Sequence, residues 1–316
     1  MGEFELIRRF FVPLANKAMT DQLVLGPGDD CAIQRVPEGR DLVFSVDTLV
    51  EGVHFPANYS PFCLGWRALA VATSDLAAMG ATPVCFTLAL TLPEAQPEWL
   101  ADFAQGLAKA SDNFGIALVG GDTTRGPLTI SIQVHGTVAR GDAIRRCGAR
   151  PGDLICVSGP LGAAGAALDF LGSTDPGVDQ QAILARYHFP EPRLVLGQQL
   201  IGRASAAIDI SDGLLADLEH ILEQSGVGAE LDANSIPMLP ELRRLKGVAA
   251  LSLALTAGDD YELCVAIAPD QYAALAPEVQ GGLIIIGRIQ QASGLRVTGA
   301  DMTESPAGFD HFGRSV

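Results

Sequence analysis

The sequence predicts an α+β protein of two domains, and three observations support this. At 316 residues the chain is longer than one hydrophobic core usually needs. Hydrophobic residues make up 48% of it, enough for packed interiors. Short apolar strands alternate with amphipathic helices, but two predicted strands follow each other without a helix, as in a hairpin. We therefore expect a mixed sheet packed with helices in each domain, rather than a doubly wound parallel sheet.

The first half supplies helices and strands in alternation. A helix over residues 64–79 is rich in Ala and Leu and ends at Gly80. A second helix over 98–114 has apolar residues at helical spacing and ends at Gly115. The predicted strands of this half are 42–46, 84–92, 116–119 and 128–138. The last two of these strands form the expected hairpin.

A polar, turn-rich segment over residues 140–153 separates the two halves. It contains three glycines and a proline, which favour turns, so we place the domain boundary between residues 140 and 141. The predicted domains are 1–140 and 141–316. In the second half the predicted strands are 154–158, 206–210, 264–268 and 283–289, and the predicted helices are a segment ending at Phe170 and residues 213–224.

Charge and cysteine content exclude several classes of partner. The formal net charge is −16, from 37 acidic and 21 basic residues, so neither nucleic acid nor an anionic membrane is an expected partner. The six cysteines form no C-x-x-C pair, which is typical of free thiols in a reducing compartment. The N-terminus resembles no secretory signal, and no apolar run reaches the ~18 residues that span a bilayer. A soluble, cytoplasmic protein is expected.

Aspartates recur where apolar strands end, in turns rich in Gly, Ser and Thr. Any one of them could be an ordinary turn or helix-capping residue, but six such segments are too many for that explanation. Converging carboxylates repel one another unless cations neutralise them, and none of the three lysines lies in these segments. Oxygen ligands without His or Cys indicate Mg²⁺, which usually serves phosphate chemistry. The segments are 26–30, 45–48, 74–76, 120–124, 209–213 and 258–262.

Common phosphate-binding motifs are absent from the sequence. There is no P-loop, no dinucleotide-binding fingerprint and no H-R-D or D-F-G set of the protein kinases. The glycine-rich run 159–165 precedes a helix but has no lysine, which favours a helix-packing turn over a phosphate cradle. Phosphate would instead be bound through metal ions, backbone amides and a few arginines, notably Arg125 and Arg146.

Taken together, the segments resemble the thiamine-monophosphate kinase family of bacteria. The matching motifs, in chain order, are GPGDDCA, SVDTLVEGVHF, SDLAAMGA, GGDTTRG, DISDGL, DYEL and GFDHF. The resemblance runs from Gly2 to Phe312. It implies the two-domain fold of the aminoimidazole ribonucleotide synthetase-like superfamily. Residues 1–140 would bind ATP and Mg²⁺ and pair into a homodimer, and residues 141–316 would complete the active site.

The resemblance also implies a role for each motif residue. The metal ligands would be Asp30, Ser45, Val46, Asp47, Asp75, Asp122, Asp209 and Asp212. The ATP contacts would be Gly121, Asp122, Arg146 and Ser211, and the substrate contacts would be His54, Asp259 and Phe309. Two positions depart from the family pattern. Val46 stands where relatives often have Thr and could coordinate only through its carbonyl, and Asp259 stands where relatives often have Glu.

The implied activity is transfer of the γ-phosphate of ATP to thiamine phosphate, giving thiamine diphosphate and ADP. The transfer would be direct and in line, assisted by several Mg²⁺ ions, with no residue acting as general base. Two alternatives remain at this point. One is another ATP-dependent member of the superfamily, of the cyclo-ligase type. The other is a non-catalytic nucleotide-binding relative. The GGDTTRG and GFDHF motifs favour the kinase over the first, and the full set of carboxylates favours it over the second.

Overall fold

A computed structural model of the chain describes residues 3–15 and 21–299, which form two compact units. Among these residues, the first unit holds 3–15, 21–76 and 81–142, and the second holds 77–80 and 143–299. The division after Asp142 falls two residues from the boundary placed on the sequence. The roles assigned to the two halves stay predictions.

The first unit consists of an N-terminal helical segment, two long helices and six strands within the described residues. The helical segment has a π-helical turn at Ile7–Phe11 between two short α-helices. The elements are α1 Glu3–Leu6, α2 Val12–Ala15, β1 Leu23–Leu25, β2 Ile33–Gln34, β3 Arg40–Val50, α3 Pro61–Ala78, β4 Thr82–Leu92, α4 Pro97–Phe114, β5 Ala117–Arg125 and β6 Thr129–Ala139.

The main sheet of this unit has the strand order β3-β6-β4-β5. Strand β5 pairs in parallel with β4 through the α4 crossover, whereas β6 pairs antiparallel with both β3 and β4. The predicted hairpin of β5 and β6 is therefore wrong, because β4 lies between these two strands. Consecutive strands without a helix between them need not be neighbours. Here the chain leaves β5, passes β4 and forms β6 on the other side of β4.

One face of this sheet is covered by helix, and the other is open only along β3, because β1 and β2 pack on it next to Cys85 and His135. The side chains of Ile130, Ile132 and Val134 alternate along β6 and are buried. Helix α3 covers this face, since its Leu76 lies next to Gly136 of β6. On the opposite face the side chains of β3 residues 42, 44 and 46 are exposed.

Helices α3 and α4 pack so closely that only glycine fits at two crossing points. A Cβ on Gly65 of α3 would lie 2.2 Å from the carbonyl oxygen of Phe103. A Cβ on Gly106 of α4 would lie 1.9 Å from the carbonyl oxygen of Phe62. These reciprocal contacts fix α4 against α3 and so position the loop that precedes α4.

The second unit is built on a six-stranded mixed sheet. Its strand order is β12-β9-β11-β7-β10-β8, with β12 and β9 parallel and the other pairs antiparallel. A core of buried aliphatic residues lies between the sheet and α8. The elements are β7 Leu154–Val157, α5 Ala163–Ala167, α6 Val178–His188, α7 Leu194–Gln199, β8 Ala204–Asp209, α8 Leu214–Ser225, β9 Gly228–Asp232, α9 Pro240–Lys246, α10 Ala249–Thr256, β10 Leu263–Ile267, α11 Pro269–Ala273, α12 Pro277–Gly281, β11 Ile284–Gln290 and β12 Gly294–Thr298.

The structure confirms the predicted fold class, since each unit has a mixed sheet packed with helices. The sequence predictions missed the short elements of the second unit, including α6, β9, α9 and β12. Within residues 3–15 and 21–299, no helix combines the length and the apolar character needed to cross a bilayer.

Candidate active site

The first unit brings together three of the predicted metal ligands, from β3 and α3. Ser45 and Asp47 share a face of β3 with the buried residues Val43 and Leu49, because side chains alternate along a strand. Asp75 lies on α3, and its Oδ2 accepts a hydrogen bond from the Ser45 hydroxyl at 2.5 Å. A hydroxyl and two carboxylates therefore lie on the same side of β3, each only partly exposed to solvent.

Val46 points away from these groups. Its side chain lies on the open face of the sheet and is 62% exposed. The position between Ser45 and Asp47 can therefore contribute only its backbone carbonyl to a metal site on the helix-covered side.

Of the other predicted ligands of the first unit, Asp122 lies apart from this group. Asp47 pairs with Ile132, Ile132 with Leu88, and Leu88 with Gly121, so the two ends of this row are three strand spacings apart, about 14 Å. Asp122 follows on β5, where it is exposed and its Oδ1 accepts the Thr123 N–H at 2.9 Å. Asp30 is likewise exposed, in the turn after β1.

Gly121 is required by the close approach of two strands. Its φ is 151°, a backbone angle that residues other than glycine rarely adopt. A Cβ at this position would also lie 1.9 Å from the carbonyl oxygen of Leu88 on β4. The residue before Asp122 therefore has to be glycine. Its backbone conformation sets the direction of the chain at Asp122.

His54 is held in a tight loop that follows β3. Its ring Nδ1 accepts a hydrogen bond from the backbone N–H of Val50 at 3.0 Å, and the backbone N–H of His54 donates to the Val50 carbonyl at 3.0 Å. Because Nδ1 is an acceptor here, a neutral His54 ring carries its proton on Nε2. That arrangement gives the ring one directed N–H donor.

In the second unit the loop 209–213 begins at the last residue of β8 and carries two predicted metal ligands and one predicted ATP contact. Asp209 is buried at the end of the strand, and Ser211 and Asp212 lie in the turn that leads into α8. Oδ2 of Asp217, in the first turn of α8, accepts the backbone N–H groups of residues 211, 212 and 213 at 2.9–3.1 Å. Burial raises the pKa of Asp217 to about 7, although these three donors act in the opposite direction.

The loop 258–262 is bound to the loop 209–213 by its backbone. The Asp259 N–H donates to the Ser211 carbonyl at 2.9 Å, and the Tyr261 N–H donates to the Ile210 carbonyl at 2.8 Å. Asp259 and Tyr261 have φ values of 70° and 51°, so two residues with side chains adopt the left-handed region. The structure therefore places Asp259 next to Ser211, and the Tyr261 hydroxyl donates to Oδ1 of Asp259 at 3.1 Å.

A buried ion-pair network anchors this second loop. Glu262 is fully buried, and it accepts hydrogen bonds from Arg186, Arg193 and Ser158 at 2.5–2.7 Å. Burial by itself would raise the pKa of Glu262. The hydrogen bonds from Arg193 and Ser158 and the charges of the two arginines outweigh this effect and lower it.

A second buried acid binds the glycine-rich run. Burial raises the pKa of Asp260 to about 8, and its Oδ2 accepts the Gly162 N–H at 2.6 Å. A Cβ on Gly162 would lie 2.5 Å from the backbone nitrogen of Ala254, and one on Gly159 would lie 2.4 Å from Oε1 of Glu262. Close packing therefore accounts for these glycines, in agreement with their interpretation as a helix-packing turn.

The remaining predicted site residues are less constrained. Arg146 is exposed in the second unit, and its carbonyl accepts a hydrogen bond from the Ser225 hydroxyl at 3.4 Å. Phe309 lies outside the described residues. Among residues 3–15 and 21–299, no group of three or more His, Cys, Asp or Glu side chains could hold a metal ion.

Comparisons with known proteins match this arrangement of two units. The family model described as AIR synthase related protein, N-terminal domain, matches residues 28–138, and the corresponding C-terminal domain matches 150–300. The thiamine-monophosphate kinase of Salmonella typhimurium is 43% identical over 270 residues, which cover 84% of this chain and 82% of that protein. The chain belongs to the thiamine-monophosphate kinase family.

Solved structures of the thiamine-monophosphate kinase family resemble this chain along nearly its whole length. The crystal structure of thiamine-monophosphate kinase from Stenotrophomonas maltophilia K279a has a TM-score of 0.86 and 44% identity, and covers 95% of this chain and 97% of that one. The structure of AaThiL complexed with AMPPCP and TMP has a TM-score of 0.81 and 30% identity, and covers 98% and 97% of the two chains.

From the sequence, no role was predicted for Asp217 or Glu262, the residues that hold the loops 209–213 and 258–262. Asp217 could have been found, because an acid in the first helical turn after Ser-Asp-Gly is typical of a residue that caps backbone N–H groups. Glu262 lies inside a family motif, but nothing in the sequence pairs it with Arg186 or Arg193. These contacts join residues 76 and 69 positions apart and need the folded structure.

Proposed function

We propose that this protein transfers the γ-phosphate of ATP to thiamine phosphate, giving thiamine diphosphate and ADP. The observation that carries the proposal is the grouping of Ser45, Asp47 and Asp75 on one side of β3, in a chain 43% identical to a thiamine-monophosphate kinase. A solved structure of a family member is complexed with AMPPCP, an ATP analogue, and TMP. The protein is thus an ATP-dependent phosphotransferase whose acceptor is itself a phosphate group.

We further infer that Mg²⁺ serves this reaction. The donor set fits the ion, because it consists of hydroxyl, carboxylate and carbonyl oxygens without His or Cys. Mg²⁺ is usually held by one or two carboxylates together with water and substrate phosphates, which suits the small group around Ser45. When bound, it neutralises phosphate charge and polarises phosphoryl oxygens. The candidate holders are Asp30, Ser45, the Val46 carbonyl, Asp47, Asp75 and Asp122 in the first unit, and Asp209 and Asp212 in the second.

The chain itself has to bind and orient two polyanions. The acceptor phosphate carries nearly two negative charges at pH 7, so it can attack the γ-phosphorus without a general base. Arg146 would bind phosphate oxygens of ATP through its guanidinium group, together with Gly121 and Ser211. Holding the acceptor oxygen in line with the γ-phosphorus is the main catalytic contribution expected of such a site.

His54 and Asp259 are proposed to hold the thiamine phosphate. The Nε2–H of His54 is directed because its Nδ1 is already an acceptor from Val50. Asp259 is held by its backbone bond to Ser211 and by the Tyr261 hydroxyl, which supports a fixed carboxylate despite its shorter side chain. Phe309 is proposed as a third contact on the resemblance alone.

We also propose that the protein is a cytoplasmic homodimer that pairs through the open face of the first sheet. Phe44 and Val46 are each 62% exposed on that face, an arrangement that favours association. All six cysteines are free thiols, which suits a reducing compartment. Light scattering should give twice the chain mass for wild type and the single chain mass for Phe44→Glu. Leu168→Glu, at a similarly exposed site in the second unit, should stay dimeric; a monomeric wild type would refute the pairing.

The activity is tested by incubating the protein with ATP, thiamine phosphate and Mg²⁺ and separating the products by chromatography. ADP and thiamine diphosphate should form one for one, and EDTA should abolish both until Mg²⁺ is restored in excess. ADP without thiamine diphosphate would show that the acceptor is another molecule. The absence of both products would refute the proposed activity.

A further inference from the structure

A pocket in the first unit lies next to His54 but contains none of the predicted site residues. It has a volume of about 580 Å³, within the range of about 300–1,000 Å³ usual for small-molecule sites. Its walls come from the loop between β3 and α3, the loop between β4 and α4, and the first turn of α4. A Glu51–Phe55 bridge closes the loop that holds His54, so the pocket and His54 share one rigid turn.

Three aromatic rings line this pocket. Phe55 and Tyr59 are buried, with ring centroids 6.2 Å apart. Trp99 is half-buried, and one face of its indole stacks on Phe103 at 5.1 Å with an interplanar angle of 12°. That stacking fixes the orientation of the indole at the border of the pocket. The close packing of α4 against α3 holds Trp99 in place.

The charge of the pocket is negative. Glu51 and Glu94 line it, and none of its described lining residues is Lys, Arg or His. The Gln96 amide donates to Oε2 of Glu94 at 3.2 Å, which holds that carboxylate in position. Carboxylates combined with aromatic faces attract organic cations, because the ring faces have a negative electrostatic potential and the carboxylates carry negative charge. The same walls repel phosphate groups.

The thiazolium ring of thiamine is a permanent cation joined to an aminopyrimidine that can donate hydrogen bonds. We propose that this pocket binds these two rings of thiamine phosphate, with Trp99, Tyr59 and Phe55 supplying ring faces and Glu51 and Glu94 supplying negative charge. The proposal rests on the proposed function. Asp47 lies in β3, and Glu51 directly follows the last residue of that strand, Val50, so the two are four residues apart in nearly extended chain, about 13 Å, which is comparable to the length of extended thiamine phosphate. The phosphate can therefore lie near Asp47 while the rings lie in the pocket.

The test is equilibrium binding measured by calorimetry without ATP, with thiamine and with thiamine phosphate as titrants. Trp99→Leu keeps an apolar side chain but removes the ring, and should weaken thiamine binding by about 2- to 30-fold, the range of a cation–π contact. Trp99→Phe should restore most of the affinity. Glu51→Gln should also weaken binding, more strongly at low ionic strength than at high. The matched control is Glu98→Gln, an exposed acid of α4 outside the pocket, which should bind as wild type does.

Two further titrants identify what is recognised. An analogue with a neutral thiophene in place of the thiazolium should bind wild type more weakly and lose less affinity in Trp99→Leu than thiamine does. AMPPCP should bind wild type, Trp99→Leu and Glu51→Gln with equal affinity. If the variants fold and bind thiamine as wild type does, the proposal is overturned. If they lose AMPPCP affinity instead, the pocket belongs to the nucleotide and the proposal is also overturned.

The proposed function can fail separately from this pocket. Suppose that the variants bind thiamine more weakly but the wild type transfers no phosphate. The pocket proposal would then stand, and the proposed kinase activity would be refuted. Phosphate transfer by wild type with unchanged thiamine binding in the variants would keep the activity and remove the pocket. A wild type that neither binds thiamine nor transfers phosphate would remove both.

Discussion

Asp122 combines an exposed side chain with a predicted double role, in metal and ATP binding. Its Oδ1 accepts the neighbouring Thr123 N–H, a bond that an asparagine oxygen can also accept. Asp122→Asn should therefore change the free energy of unfolding by no more than about 0.5 kcal/mol. It removes a charge that would balance the phosphates, so turnover should fall by about 10²- to 10³-fold.

The measurement for this variant is kcat at saturating Mg²⁺, together with the thermal midpoint. Asp112→Asn is the control, because Asp112 is equally exposed on α4 and has no predicted role. Turnover equal to wild type in Asp122→Asn would remove the assignment of Asp122.

Gly121 and Gly120 are adjacent glycines with different constraints. A Cβ on Gly121 would meet the Leu88 carbonyl at 1.9 Å, at a φ of 151°, whereas a Cβ on Gly120 would meet nothing within 4 Å. Gly121→Ala should lower the free energy of unfolding by about 2–5 kcal/mol, from backbone strain and overpacking. Gly120→Ala should be close to neutral. Urea unfolding compares the two, and equal midpoints would contradict the account of this turn.

At the scale of elements, the second unit positions its two loops by buried charge. Glu262→Gln removes the negative charge that both Arg186 and Arg193 contact, and leaves these partly buried cations without their common partner. We expect a loss of about 3–5 kcal/mol in the free energy of unfolding, as for other broken buried pairs.

The exposed ion pair of Arg244 with Asp179 is the control for this loss. Asp179→Asn should destabilise the protein far less than Glu262→Gln does, because solvent screens an exposed pair. The measurement is denaturant unfolding of both variants at one pH and salt concentration. A Glu262→Gln protein as stable as Asp179→Asn would show that the network does not hold the loop.

Single elements were predictable where one local signal sufficed. Alternation along residues 128–138 predicted a strand with one buried face, and Gly80 and Gly115 ended the two long helices of the first half. Strand order was not predictable in the same way. The position of β6 between β3 and β4 depends on contacts between distant segments, so a hairpin was the natural but incorrect expectation. The partners of Glu262, up to 104 positions away, were hidden for the same reason.

At the scale of the whole molecule, Asp260 links stability to pH. Burial raises the pKa of Asp260 to about 8, well above that of an exposed aspartate near 4. Between these values the folded protein holds a proton that the unfolded chain has released, so the contribution of Asp260 to stability falls as pH rises from about 4 to 8. Asp260→Asn removes this titration and keeps an acceptor for the Gly162 N–H.

Unfolding free energies of wild type and Asp260→Asn should be compared between pH 5 and 8. The difference should shift in favour of the variant as pH rises, while titrations shared by the two proteins cancel. A difference that is constant with pH would contradict the protonated, buried state of Asp260.

The motifs pointed to candidate residues, but the expectation that all of them lie at strand ends is wrong, because Ser45 and Asp47 lie inside β3 and Asp75 lies inside α3. The alternation of β3 places Ser45 and Asp47 on the helix-covered side with Asp75, as a metal role requires. The pocket at Trp99 and the support of loop 209–213 by Asp217 were not predicted, because each depends on side chains from separate elements. The domain boundary between residues 140 and 141 was placed on turn-forming residues, and the assignment of the two domains stays a prediction.

Direct in-line transfer from ATP to thiamine phosphate by this protein is the central claim. The most direct test is turnover of ATP made chiral at the γ-phosphorus with oxygen isotopes, followed by analysis of the terminal phosphate of the product. A single direct transfer predicts thiamine diphosphate with inverted configuration at that phosphorus. Retained configuration would contradict direct transfer by requiring a phosphoenzyme, and the absence of labelled thiamine diphosphate would contradict the activity itself.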